Sequence, residues 1–296
     1  MGLAWGLVGV VAFSLTVPFT RVAVVDGLAP LFVGSGRAVI AAVIAAVALW
    51  LSRQRLPRGT QWARVAVIAA GVVVGFPLLT SFALTSVPAS HGAVVIALLP
   101  AATAVMVVIR ARERPSRSFW VVAAVGALLA VLFASLQGGG ALFQLHWADA
   151  LLFGAVVAAA VGYAEGGLLA RELGSWQTVS WALVLASPLM LSLTIFSAVS
   201  HPPVAAPFQW AAFVYLGVVS MFLGFVAWYR GLAIGPMARV SQVQLIQPVL
   251  TIGWAALLLG EQLTWPTVLG GLAVVVCAGV AVRIRLGGPS ERRGLR

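Results

Sequence analysis

The chain has 296 residues, of which 62% are hydrophobic and only 8% are charged, and its mean hydropathy is +1.08. A water-soluble domain of this size needs far more charge to cover its surface, so the composition indicates an integral membrane protein. All 18 basic residues are arginines, and 7 acidic residues leave a net charge of +11. In a soluble protein this charge would suggest a nucleic-acid partner. The single cysteine, Cys277, excludes an intramolecular disulfide.

Ten apolar segments follow one another along the chain, each close to the roughly 20 residues that a membrane-spanning helix needs. They are rich in Ala, Leu and Gly and show no alternation of polar and apolar residues, which argues against a β-barrel. The predicted helices cover 2–21, 30–51, 64–86, 89–110, 119–137, 148–170, 176–198, 209–230, 236–259 and 265–283. The sequence therefore predicts an all-α membrane protein with ten transmembrane helices.

The arginines are concentrated in alternate connections between these helices. Because basic loops stay on the cytoplasmic side, this pattern predicts a multi-pass protein of the cytoplasmic (inner) membrane with both termini inside. It also accounts for the positive charge, so no nucleic-acid partner is expected. Residues 284–296 then form a basic cytoplasmic tail. Sixteen of the 18 arginines lie in these connections or in the tail: Arg53, Arg55, Arg58, Arg64, Arg110, Arg112, Arg114, Arg117, Arg171, Arg230, Arg239, Arg283, Arg285, Arg292, Arg293 and Arg296.

An internal repeat divides the chain into two halves. The segment LTSVPASHGAVVIALLPAATAVMVVIRARE (84–113) aligns without a gap to LAIGPMARVSQVQLIQPVLTIGWAALLLGE (232–261). The pairs at this single offset of 148 residues include Leu84/Leu232, Pro88/Pro236, Pro100/Pro248 and Glu113/Glu261. Each unit, 1–137 and 148–283, holds five helices, so the second enters the membrane from the opposite side. Inverted repeats of this kind are typical of secondary transporters.

The ten helices, the two five-helix units and the repeated L…P…P…E block resemble the EamA type of the drug/metabolite transporter superfamily. In length and general appearance the chain looks most like amino-acid exporters of the YddG kind. The resemblance implies a central cavity built from helices 1–4 and 6–9, with helices 5 and 10 at the periphery. The family carries amino acids, sugars, nucleotide derivatives and drugs, so the resemblance does not select one substrate.

Catalytic and nucleotide-binding motifs are missing from the sequence: there is no H-E-x-x-H, G-x-S-x-G or G-x-x-x-x-G-K-[ST]. His91, His146 and His201 are far apart along the chain, which does not suggest a metal site. We therefore expect no enzymatic activity, no cofactor and no metal.

Ionisable residues inside predicted helices are costly and usually face the protein interior or a watery cavity. Arg37 is either a fork-shaped donor to a substrate carboxylate or a structural residue bonded to carbonyls near Gly34 and Gly36 or to Asp26. Glu165 is the one carboxylate well inside a helix. It is either a proton-coupling candidate or a partner for Arg230 or Arg239 at the inner face.

Helix 9 carries a polar stripe of Gln244, Gln247 and Thr251, which share one helical face. We expect the stripe to line the cavity, the alternative being hydrogen bonds between helices alone. The facing positions of helix 4 are apolar apart from Thr103, so the cavity should be polar on one side only and suited to amphipathic substrates.

His91 begins helix 4, where a helix N-terminus with a donor side chain can hold an anionic group; the alternative is a histidine that caps its own turn. Five aromatic residues are further candidates for the cavity wall, although several could serve only as interfacial or packing residues. They are Phe82, Tyr163, Trp181, Trp228 and Trp254.

The sequence favours a secondary transporter that exports small amphipathic metabolites, above all amino acids, by alternating access. One alternative is a drug or lipid translocator of the same fold. Another is a channel-like or sensory membrane protein without a transport cycle, although no charged ring or carbonyl filter is visible. The expected partners are a small-molecule substrate and the lipid bilayer, and the chain could act as a monomer or a homodimer.

Overall fold

The computed structural model describes residues 1–111, 116–137, 146–234 and 243–286. Ten helices, α1 to α10, are counted in these ranges, which contain no strand. Their bounds are Gly2–Ser14 with Thr16–Val24 (α1); Pro30–Leu51 (α2); Thr60–Ile68, Ala69–Gly75 and Phe76–Ala83 (α3); Ala89–Ile96 with Leu99–Ala111 (α4); Arg117–Gln137 (α5); Trp147–Leu173 (α6); Ser175–Ser200 (α7); Pro207–Tyr215, Leu216–Leu223 and Gly224–Ile234 (α8); Val243–Ile246 with Gln247–Leu259 (α9); and Trp265–Leu286 (α10).

Seven of the described helices, α1–α4 and α6–α8, are long and apolar enough to cross a membrane. The apolar parts of α5, α9 and α10 are shorter. Predicted and observed bounds differ by a few residues at most ends; α3, for example, begins at Thr60 and ends at Ala83. The predicted start of helix 9, together with Pro236, Arg239, Glu113 and the end of the basic tail, lies outside the described residues.

The helices pack in pairs: α1 runs along α8, α3 along α6, α2 along α7 and α5 along α10. Small residues allow the close contacts. A Cβ atom on Gly71 of α3 would collide with the backbone of α6, and the hydroxyls of Thr16 in α1 and Ser220 in α8 lie 2.7 Å apart. Close backbone approach at small residues is how membrane helices commonly associate.

Two helices contain a wide π-type turn, and two others are divided into segments beside a proline. The π turns are Ala69–Gly75 in α3 and Leu216–Leu223 in α8. The second segment of α4 begins at Leu99 and Pro100, and the α-helical part of α9 begins at Gln247 and Pro248. Proline is tolerated in the first turn of a helix because the N–H that it lacks has no partner there.

Side-chain contacts sort the helix connections into two ends of the molecule. At one end, which we call the arginine-rich end, Gln177 bonds Gln54 at 3.3 Å and Glu172 pairs with Arg64. At the opposite end, the Glu261 end, Gln209 donates to the carbonyl of Val25 at 3.0 Å.

Candidate functional site

Two small cavities lie between the helices in the middle of the molecule. The first, of about 30 Å³, is bordered by α1, α2, α3, α4, α6, α8 and α9. The second, of about 10 Å³, lies between α1, α4 and α9. Val17, Leu99 and Gln247 line both cavities, which makes them neighbouring parts of one central site. Small-molecule sites usually measure about 300–1,000 Å³, so the helices are closed around the site in this structure.

Arg37 of α2 lines the larger central cavity and is only 1% exposed. Its two terminal nitrogens donate to the hydroxyls of Thr20 at 3.4 Å and Thr80 at 3.2 Å. These partners differ from the expected carbonyls near Gly34 and Gly36 or Asp26, because hydroxyls of α1 and α3 lie within hydrogen-bond distance of the guanidinium. Its Nε has no hydrogen-bond partner, and no acidic side chain in the described ranges pairs with it. A buried cation without a counter-ion is costly.

The polar stripe of α9 faces the central cavities. Gln244, Gln247 and Thr251 all line the smaller cavity, opposite Ile96 and Leu99 of α4. The Thr251 hydroxyl donates to the carbonyl of Ser14 or of Gln247, at 2.9 Å in each case. By contrast, Gln244 Nε2 and Gln247 Oε1 are buried and have no partner. The stripe therefore leaves one donor and one acceptor unsatisfied beside the site.

The remaining candidates are distributed over different places. Tyr163 lines the larger cavity, with its ring edge-on to Phe225 at 5.8 Å between centroids. Thr103 has a buried hydroxyl without a partner but does not line either central cavity.

Three predicted aromatic residues lie away from the central cavities. Phe82 is 37% exposed on the surface of α3, and Trp228 is buried against Gly9 in the contact between α1 and α8. Trp181 packs edge-on against Trp62 and borders an open surface cavity of about 590 Å³ at the arginine-rich end. In these positions the three residues serve helix packing or the molecular surface.

Glu165 of α6 forms an ion-pair network at the arginine-rich end. It accepts hydrogen bonds from Arg64 of α3 and, at 2.8 Å, from Arg110 of α4, while Arg64 also binds Glu172. The expected pairing with Arg230 is wrong, because that guanidinium lies 4.8 Å from the ring centre of Trp5 instead. The network ties α3 and α4 to α6.

The Glu261 end holds a second polar cluster around a cavity of about 420 Å³. His91 Nε2 lies 2.6 Å from Asp149 Oδ1, so His91 does not merely cap its own turn. Asp149 also accepts from the backbone N–H of His146, which caps α6. Glu261 accepts from the backbone N–H groups of Ala89 at 2.7 Å and Ser90 at 2.9 Å. The anionic group at the start of α4 is thus a carboxylate of the chain itself.

Comparison with known proteins identifies the family. Residues 1–136 and 146–283 match the EamA-like transporter family. The chain belongs to this family. A transporter of Bacillus subtilis (strain 168), named Uncharacterized transporter YdeK, is 44% identical over 286 residues, which cover 94% of this chain and 96% of that protein.

Two further matches are more distant in sequence. A protein of Streptantibioticus cattleyicolor named "Probable terminal-alkyne amino-acid exporter" is 26% identical over 83% of this chain and 82% of its own length. A solved crystal structure matches with a TM-score of 0.61 and 18% identity, covering 95% of this chain and 98% of that one. This last likeness concerns the fold.

The partners that complete each polar cluster carry little signal in the sequence. Thr20 and Thr80 were ordinary hydroxyls in apolar helices, and nothing in their spacing pointed to Arg37. For Asp149 a signal existed, since His146 and Asp149 have the spacing of a capping box at a helix start. Glu261 was recognised only as part of the repeated block.

Proposed function

We propose that this EamA-like transporter is a secondary carrier that exports small amphipathic metabolites, with amino acids as the favoured substrates, across the cytoplasmic membrane by alternating access. In this proposal all ten helices span the membrane as two inverted five-helix units, both termini are cytoplasmic, and the arginine-rich end faces the cytoplasm.

The helix arrangement supports the inverted repeat. The π turns of α3 and α8 occupy corresponding positions in the two units, and so do the proline-containing starts at Leu99 and Gln247. The contact of α3 with α6 corresponds to that of α8 with α1, while α2–α7 and α5–α10 each pair a helix with its own counterpart. A two-fold axis in the membrane plane would produce this pattern, and such symmetry allows a central site to open to either face.

The buried guanidinium of Arg37, which pairs with no acidic side chain in the described ranges, is the observation that carries the substrate proposal. A carboxylate would supply the missing counter-ion through paired, charge-assisted hydrogen bonds. Gln247 Oε1, an unsatisfied acceptor on the same cavity, can accept from an ammonium group. The apolar wall of Phe13, Val72 and Phe225 suits a hydrophobic side chain. The exporter name of the S. cattleyicolor relative agrees with this substrate class.

Uptake by liposomes that contain the purified protein tests the proposal. We expect saturable uptake of one or more neutral amino acids from a panel that also holds sugars, nucleosides and a lipophilic drug. The amide of the same amino acid, which lacks the carboxylate, should be transported poorly. Selective uptake of the drug, with no amino acid transported, would favour the drug or lipid translocator, whose support is the apolar wall.

Variants of Arg37 and Gln247 test which residue binds the carboxylate of the substrate and which binds its ammonium group. Arg37→Lys keeps the charge but loses the planar fork, so KM for the amino acid should rise by at least about tenfold, the equivalent of 1.4 kcal/mol. Gln247→Leu should reduce uptake while the protein still purifies as a folded monodisperse species. Gln54→Leu, a change at the half-buried bond to Gln177, is the matched control and should transport normally. Unchanged kinetics in both site variants would contradict the assignment.

A further inference from the structure

The contact between Glu261 and the start of α4 joins the two halves of the molecule. Gly260 ends α9 with a left-handed backbone conformation, φ = +64°, which turns the chain and directs Glu261 toward α4. Each carboxylate oxygen then accepts one backbone N–H, from Ala89 and from Ser90. The first N–H groups of a helix have no partner within the helix and favour a negative charge.

This contact lies about one helical turn along α4 from the central site, since Ala89 binds Glu261 and Ala93 lines the smaller cavity. The first segment of α4 carries Ala93 and Ile96 at the smaller cavity, and α9 carries Gln247 and Thr251 on the facing wall. A path from the site to the Glu261 end must separate these two walls. Because the carboxylate bridges the outer ends of α4 and α9, that separation requires both of its hydrogen bonds to break.

The surroundings of the Glu261 carboxylate would allow its hydrogen bonds to α4 to break. The cavity of about 420 Å³ beside the contact is lined by Ser90, His91, Asp149, Glu261 and Thr264. Arg21, which donates to the carbonyl of Leu84 at 2.6 Å, is close enough to attract Glu261 electrostatically. A released carboxylate therefore has both space and a cation nearby.

We propose that Glu261 is the latch of the gate at this end: its carboxylate holds the start of α4 in the closed state and leaves it each time the site opens there. The latch is a positioning residue and does not bind substrate. This inference rests on the alternating-access cycle proposed above. A static helix cap, the competing interpretation, would stabilise the fold without controlling access to the site.

Cysteine accessibility distinguishes the two roles. Ser90 is 6% exposed and lines the cavity beside the latch, and its replacement by cysteine keeps the backbone N–H. With Cys277→Ser as background and both faces accessible in nanodiscs, Ser90→Cys should react slowly with a charged maleimide. Glu261→Ala should raise that rate by at least about tenfold, equivalent to 1.4 kcal/mol of lost closure, and Glu261→Gln should have a smaller effect in the same direction.

Gln262→Ala is the matched control, because Gln262 borders the same cavity but makes no contact with the α4 amides among the described residues. Its reaction rate should equal that of the parent. Thermal melting identifies any variant that fails to fold, and Glu261→Gln then replaces Glu261→Ala. Glu261 variants that melt lower but react at the parent rate would establish a static cap and overturn the latch.

The accessibility measurement uses no substrate, so its outcome is separate from that of the transport assay. Faster maleimide modification of Ser90→Cys in the Glu261 variants, with no amino-acid transport by the parent, would support the latch and contradict the proposed substrate class. Transport by the parent with no effect of Glu261 on accessibility would leave the carrier proposal in place and remove the latch.

Discussion

The carboxylate of Glu165 is held between guanidinium groups from two helices, Arg64 of α3 and Arg110 of α4. A group engaged in this way acts as a structural tie at the arginine-rich end. Proton coupling needs a carboxylate that gains and loses its proton as the site changes sides. The two arginine partners of Glu165 suit the structural role, since they favour a carboxylate that stays charged.

Glu165→Gln should therefore change the transport rate without changing the kind of transport. An imposed pH gradient should not drive uphill accumulation of a neutral substrate in liposomes, either in the parent or in the variant. The measurement is substrate accumulation with and without the gradient. Accumulation that follows the gradient in the parent and disappears in Glu165→Gln would instead make the protein a proton-coupled carrier.

At the scale of single residues, polar residue types inside apolar helices could be selected from the sequence, but their partners could not. Arg37, Gln244 and Gln247 were identified because charged and amide groups are rare and costly in a membrane. Which groups they contact, and which of their atoms stay without a partner, depends on helix rotation and long-range contacts that periodicity does not determine. The surroundings of the tryptophans are harder to predict, because a large amphipathic ring such as that of Trp181 or Trp228 suits a packing contact as well as a cavity wall.

At the scale of helices, close packing depends on a few glycines. Gly71 lies where a Cβ atom would overlap the backbone of Ala158, whereas a Cβ atom on Gly253 in α9 would meet nothing within 4 Å. The G-x-x-x-G spacing of Gly71 and Gly75 is typical of close helix contacts in membranes. The π turns could not be predicted, since local sequence gives no signal for the extra residue that each turn accommodates.

Gly71→Val should destabilise the protein by about 1–3 kcal/mol, the usual cost of overfilling a packed contact. Gly253→Val introduces the same β-branched side chain at an open position and should melt close to the parent. Thermal unfolding in detergent measures both. Equal melting temperatures for the two variants would contradict the described contact between α3 and α6.

At the scale of the whole molecule, hydropathy and the repeat were enough to predict an all-helical membrane transporter. The reason is physical: backbone groups in a bilayer must be satisfied within each segment, so long apolar runs have little choice but to form helices. Hydropathy does not predict how tightly the helices close around the central site. In the proposed cycle this closure depends on the contacts of Glu165 and Glu261, each of which joins residues far apart in sequence.

Cysteine labelling on intact cells tests the proposed orientation. In a Cys277→Ser background, a cysteine at the exposed Val204, in the 199–207 connection, should react with an impermeant maleimide from outside. A cysteine at Ser116, between α4 and α5, should react only after the cells are permeabilised, because basic connections stay inside. The reverse pattern would contradict the orientation and place the arginine-rich end outside.

Counterflow tests the central claim, transport of amino acids by alternating access, most directly. Liposomes containing the protein are preloaded with an unlabelled neutral amino acid, and the uptake of a labelled trace of the same compound is compared with that of empty proteoliposomes. A carrier whose site faces one side at a time should show a transient overshoot in the preloaded vesicles that saturates with substrate and weakens in Arg37→Lys. Uptake that is identical with and without preloading, for every amino acid tested, would contradict the account.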